Sequence, residues 1–89
     1  MAAYRLLVAS SAERTLRRLP EAVASAMVEF MTGPLLDNPA RVGKPLMFDL
    51  EGYLSARRGP YRVTCRVDEA ERAVRVVRIE HRSDVYRVR

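Results

Sequence analysis

The spacing of apolar residues changes along this chain and divides it into a strand, a helical stretch and a second run of strands. Tyr4-Arg5-Leu6-Leu7-Val8 reads as a short first strand. Ala12, Leu16 and Leu19 then recur at i, i+4 and i+7, two turns of helix with Arg14, Arg17 and Arg18 on the other side. Ser10 stands three residues before Glu13, the capping-box spacing that marks a helix start. Pro20 ends this helix and suits the first position of the next. Val23, Met27, Phe30 and Met31 carry the second helix, which Gly33-Pro34 ends or kinks near Thr32, and Leu35-Leu36 predicts one more short turn. Met27 and Met31 flank Phe30 at helical spacing and are read as core.

Two prolines and Gly43 predict a loop from Asn38 to Pro45, with extended structure beginning over Leu46 to Leu50 and a strand over Tyr53 to Arg57. Gly59-Pro60 marks a tight connection into the clearest strand, Tyr61 to Val67. There Tyr61, Val63, Cys65 and Val67 share one face and Arg62, Thr64, Arg66 and Asp68 the other. The apolar set packs on the helices, so the arginine set points outward. Tyr53, Ser55 and Arg57 likewise share a face. A polar turn from Asp68 to Arg72 leads into a last strand, Ala73 to Glu80, where Val76-Val77 breaks the alternation and leaves its outward residues undecided. Such short links make consecutive strands antiparallel. The expected fold is α+β, ordered β-α-α-β-β-β. A helical hairpin packs on a small, mainly antiparallel curved sheet, as one domain over residues 1–89.

Charge singles out the second half. From Arg57 to Arg89 ten arginines stand against five acids, whereas residues 1–56 hold six basic and six acidic side chains. The arginines alternate with β-branched and aromatic residues, so the excess belongs to a folded sheet. Guanidinium groups fixed on one surface suit a phosphodiester backbone. Chemistry narrows further. Cys65 is the sole cysteine and His81 the sole histidine, which excludes an internal disulfide and a zinc site. Cys65 lies in an apolar pattern and is read as packing. No metal or other cofactor is expected. No stretch approaches the roughly 20 apolar residues of a membrane span, and a cytoplasmic location is expected.

The run Tyr53-Leu-Ser-Ala-Arg57-Arg-Gly-Pro-Tyr61-Arg62, then Arg66-Val-Asp68, then His81-Arg82-Ser-Asp-Val-Tyr86, resembles the RelE/ParE superfamily of bacterial toxins. Ala12 to Pro20 resembles the family's first helix, and Asn38-Pro39 with Gly43-Lys44-Pro45-Leu46 its central loop. The likeness is greatest to the RelE branch, whose members cut messenger RNA in the ribosomal A site. It implies metal-independent cleavage in which the 2′-hydroxyl attacks the adjacent phosphate and expels the 5′-oxygen. That reaction needs a base, an acid and positive charge around the transition state.

By this resemblance the catalytic candidates are Arg62, His81, Arg82 and Tyr86. Arg62 stabilises the phosphoryl oxygens, a task suited to a fixed guanidinium. Tyr86 matches a C-terminal tyrosine that moves a proton or stacks on a base. His81 and Arg82 match a variable position, and His81 is the one imidazole, the side-chain type that exchanges protons near neutral pH. Arg57, Arg58, Arg66 and Lys44 are the candidates for RNA or phosphate binding. The chain departs from the family where several RelE members carry two lysines. Tyr53 and Ser55 stand there, so the usual base candidates are missing.

The implied partners are a cognate antitoxin, the ribosome and mRNA, with operator DNA reached only through the antitoxin and no membrane. Two other readings compete: a ParE-like poison of DNA gyrase without nuclease chemistry, and a non-catalytic relic that only binds its antitoxin.

Overall fold

The computed structural model describes residues 4–47 and 51–81. Strand β1 (Arg5–Val8) leads into helices α1 (Ser10–Arg18) and α2 (Glu21–Thr32), then two single-turn helices, α3 (Pro34–Asp37) and α4 (Pro39–Val42). Strands β2 (Gly43–Pro45), β3 (Tyr53–Arg58), β4 (Tyr61–Asp68) and β5 (Ala73–His81) follow. The described strands form a five-stranded sheet in the order β1-β5-β4-β3-β2. Pairing is antiparallel from β2 to β5, and β1 adds in parallel beside β5, with Arg5 opposite Ala73 and Val8 opposite Val76. The α+β expectation holds, with a mixed sheet.

Three departures from the sequence reading stand out. The capping box at Ser10 does not form: Ala9 is the N-cap, without a side-chain cap. The reason is that the Ala9 N–H still donates to the Val76 carbonyl at 2.8 Å, which holds Ala9 extended as the last rung beside β5 and brings the chain into α1 at Ser10. Pro20 is likewise the N-cap of α2, one position before the expected one. The loop expected over Asn38 to Pro45 is ordered into α4 and β2. Asn38 Oδ1 accepts from the Arg41 N–H at 3.2 Å, and Pro39 takes the first helical position, a combination that favours helix over loop. Gly43 then packs where a side chain would not fit, since an added Cβ would lie 3.0 Å from the Pro39 carbonyl oxygen and 3.1 Å from Leu54 Cβ. Extended structure begins at Gly43, earlier than Leu46, and residues 48–50 lie outside the described residues.

The helices cover one face of the sheet. Ala12, Met27, Phe30, Met31, Leu35 and Leu36 meet Ala56, Val63, Cys65, Val74, Val76 and Ile79 in one buried cluster. Met27 and Met31 are core, as read. Each fully buried large side chain here contributes about 1.5–3 kcal/mol. Burial also pushes the Cys65 thiol up, to about 11. No helix among the described residues is long and apolar enough to cross a membrane.

A β-bulge in β5 resolves the broken alternation. Cys65 pairs with Val76 but Thr64 pairs with Arg78, so Val77 is the extra residue. Val74 and Val76 point to the core before the bulge and Ile79 after it. The Ser11 hydroxyl of α1 donates to the Val77 carbonyl at 3.2 Å, which satisfies a group the bulge removes from the ladder.

Candidate functional site

The face turned away from the helices is a register of cations. Cross-strand pairing lines up Arg57, Arg62 and Glu80 in one row. A second row is Lys44, Ser55, Thr64 and Arg78, and a third is Tyr53, Arg66 and Arg75. Strands are about 4.8 Å apart and rows about 6.7 Å apart, so neighbouring charges stand at distances a polynucleotide backbone can bridge. Thr64, expected outward, is on this face but buried, 6% exposed, because it is the short side chain at the middle of the sheet. Asp68 is on the same face at the far end of β4, where its Oδ1 accepts the Glu71 N–H at 3.1 Å and closes the turn.

Arg62 lies in the first row, 34% exposed, with Nη2 3.4 Å from Glu80 Oε1. Arg78 Nη1 approaches the other Glu80 oxygen at 3.8 Å. Both separations exceed the roughly 2.7–2.9 Å of a good charge-assisted bond, so Glu80 sits between two guanidinium groups without being locked to either. Arg62 Nε is buried and has no hydrogen-bond partner among the described residues. A buried donor in that condition costs about 1–3 kcal/mol. The Arg66 guanidinium lies 5.6 Å from the Tyr53 ring centroid, a cation–π contact that seats Arg66 on the ring.

Of the residues singled out from sequence, Lys44, Arg57, Arg62 and Arg66 share this face. Arg58 pairs with Tyr61 at the β3–β4 turn and belongs by alternation to the other face. His81 also pairs with Tyr61, their rings 5.1 Å apart and nearly perpendicular, which places it across the sheet from Arg62. The expected grouping of Arg62 with His81 is not what the strand register produces. Arg82 and Tyr86 lie outside the described residues.

Arg75, Arg78 and Glu80 were missed, because the Val76-Val77 irregularity hid which β5 residues point outward. The signal was present: apolar Val74, Val76 and Ile79 can all face the core only if a bulge falls between Val76 and Ile79. Tyr53 and Ser55 do occupy the outward face. Cations from adjacent strands stand beside them, Arg66 on Tyr53 and Lys44 opposite Ser55.

Comparison with known proteins gives this face a family. The model of the ParE toxin of the type II toxin–antitoxin system parDE matches residues 6–86. A protein named Toxin RelE from Mycobacterium tuberculosis is 51% identical over 85 residues, 96% of this chain and 88% of that protein. Toxin RelG from the same organism is 44% identical over 84 residues, 94% of this chain and 97% of that protein. The fold matches the toxin–antitoxin complex RelBE2 of Mycobacterium tuberculosis with a TM-score of 0.86 and 42% identity, over 90% of this chain and 99% of that one. The isolated Escherichia coli RelE toxin shares the fold alone, with a TM-score of 0.74 at 21% identity over 94% of this chain and 92% of that one. A continuous match from the first strand into the C-terminal segment, together with two toxins at this level of identity, establishes that the chain belongs to the RelE/ParE family and is a RelE-like toxin of a type II toxin–antitoxin system.

Proposed function

We propose that this toxin is a metal-independent endoribonuclease that cuts mRNA on the ribosome and so inhibits translation. The observation that carries the reading is Arg62, held between Arg57 and Glu80 on a cationic face, with a buried Nε that has no hydrogen-bond partner among the described residues. Arg62 is assigned to the phosphoryl oxygens, where two guanidinium N–H groups meet the charge that develops as the 2′-oxygen attacks. Arg57, Lys44 and Arg66 are assigned to the flanking backbone, and Arg78 and Arg75 extend the same surface. Arg82 and Tyr86, which match the family's C-terminal residues, are assigned to complete the site. His81 is left out of the set, since it shares a face with Tyr61.

The test is to map mRNA ends after brief expression of the wild type and of Arg62→Ala. Cleavage at ribosome-occupied codons that the substitution abolishes is the expected result. Equal cleavage by both removes Arg62 from the mechanism. The ParE description of the matching family model favours a second reading, a gyrase poison without nuclease chemistry. Inhibited supercoiling by the purified protein, with mRNA left intact, would establish that reading instead.

A cognate antitoxin is the proposed partner, with which the toxin would repress its own operon. Solved relatives are toxin–antitoxin complexes from Mycobacterium tuberculosis, Pyrococcus horikoshii and Escherichia coli. A groove of about 740 Å³ between α1 and α2, lined by Leu16, Leu19, Ala24 and Val28, supports this, as does the exposure of Val28. An amphipathic segment laid in that groove would bury its apolar floor.

A further inference from the structure

The ribonuclease reading leaves one task unassigned: something must take the proton from the attacking 2′-hydroxyl. We infer that Glu80 is that proton acceptor. The inference rests on the ribonuclease reading and on where the strand register places Glu80. The arginines on the outer face donate and do not accept, and Lys44 is a cation that would have to lose its own proton first. Asp68 closes a turn six residues along β4 from Arg62, about 20 Å away in an extended strand. His81 is on the other face. Among the described residues, Glu80 is the carboxylate in the same row as the proposed phosphate-holding arginine, and its Oε1 lies 3.4 Å from Arg62 Nη2. A phosphate held by that guanidinium brings its neighbouring 2′-oxygen within hydrogen-bond reach of the carboxylate, the geometry a general base requires.

Three cations face Glu80: Arg62 from β4 and Arg78 on its own strand, in contact, and Arg57 from β3, one position further along the row. The two contacts are long, so substrate can take Arg62 without first breaking a tight ion pair. In the step itself the 2′-O–H bond breaks and its proton passes to Glu80. The freed electron pair forms the 2′-O–P bond, the P–O5′ bond breaks, and the 5′-oxygen takes a proton from water. Glu80 returns its proton to the hydroxide so formed. The products are a 2′,3′-cyclic phosphate and a 5′-hydroxyl end.

The bland alternative is that Glu80 only neutralises its arginines. The two accounts predict opposite results for Glu80→Gln. As a base, its loss lowers kcat on mRNA-programmed ribosomes by roughly 10²–10⁴-fold, leaves KM unchanged or lower, and removes the acidic limb of the pH–rate profile. Glu80→Asp, which keeps the carboxylate, restores part of the rate and the limb. As a neutraliser, its loss adds net positive charge, tightens RNA binding and leaves kcat and the pH profile in place, which overturns the inference. Thermal melts of both variants establish that they are folded. A wild type that cuts nothing in the same assay overturns the ribonuclease reading together with the role of Glu80, whereas an active wild type with an equally active Glu80→Gln overturns the role alone.

Discussion

Replacing Arg62 with alanine should damage cleavage far more than folding. Three stability terms act at this residue. The Arg62–Glu80 pair is partly exposed, 34% and 23%, and long at 3.4 Å, so losing it costs about 0.2–1 kcal/mol. Removing two stem methylenes, about two-thirds buried, costs about 1 kcal/mol more. Against these, truncation eliminates an Nε that is unsatisfied among the described residues, which returns about 1–3 kcal/mol. Glu80 is not orphaned, because Arg78 remains 3.8 Å from its second oxygen. The terms cancel to within about 1–2 kcal/mol. The net loss is about 1 kcal/mol at most, and for a domain of this size about 1 kcal/mol moves Tm by roughly 4–8 °C, so the variant should melt no more than about 10 °C below the wild type. Cleavage should fall about 10²–10³-fold, by analogy with the loss of one transition-state donor. Differential scanning calorimetry and primer extension on the same preparations supply both numbers. A drop of 15–20 °C or so, beyond what these terms allow, with cleavage per folded molecule unchanged, would refute the argument and make Arg62 a structural residue.

Other perturbations test the frame that holds this face. Leu35→Ala, at a fully buried position in the core cluster, should lose about 2–5 kcal/mol, read as a fall in the urea midpoint at unchanged m-value. Gly59 opens the β3–β4 hairpin at φ +60 with nothing near an added Cβ, so Gly59→Ala should cost on the order of 1 kcal/mol from backbone strain alone, visible as a few degrees of Tm. Cys65 is raised from 9.0 to about 11, so the folded state keeps a proton that the unfolded chain loses. That contribution is whole below pH 9 and falls as pH rises towards 11, by on the order of 2–3 kcal/mol. Wild type minus Cys65→Ala stability, followed by urea melts across that window, isolates it. Deleting Val77 should leave the protein folded, since Arg78 then follows Val76 in register opposite Thr64, but should reduce cleavage by changing the twist beneath Arg62. Failure of the deletion variant to fold counts against this reading of the bulge.

The elements that short-range periodicity can reveal were legible. Helical spacing located α1 and α2 and assigned Met27 and Met31 to the core, and alternation in β4 separated Val63 and Cys65 from Arg62 and Arg66. What escaped depends on partners remote in sequence. The parallel pairing of β1 with β5 joins segments more than 60 residues apart, and it also held Ala9 extended and displaced the helix start from the capping box. Helix α4 escaped for a different reason. Pro39 and Gly43 were read as loop signals, whereas Asn38 before Pro39 is a cap and Gly43 serves a close approach to Leu54.

The bulge determines which residues of β5 reach the candidate site. A regular strand continuing from Val74 and Val76 would put Arg78 and Glu80 under the helices and Ile79 in water. Burying those two charges would cost several kcal/mol each, and exposing Ile79 would forfeit about 1.5–3 kcal/mol. One unpaired residue is a much smaller cost, and the Ser11 hydroxyl meets the carbonyl it frees. The apolar pattern itself therefore forces the irregularity, and the irregularity turns Arg78 and Glu80 to the face that Arg62 occupies. The same shift sends His81 to Tyr61. A strand that looked ambiguous in sequence thus decides which side chain meets Arg62: the His81 imidazole goes to the helix side with Tyr61, and the Glu80 carboxylate stands beside Arg62.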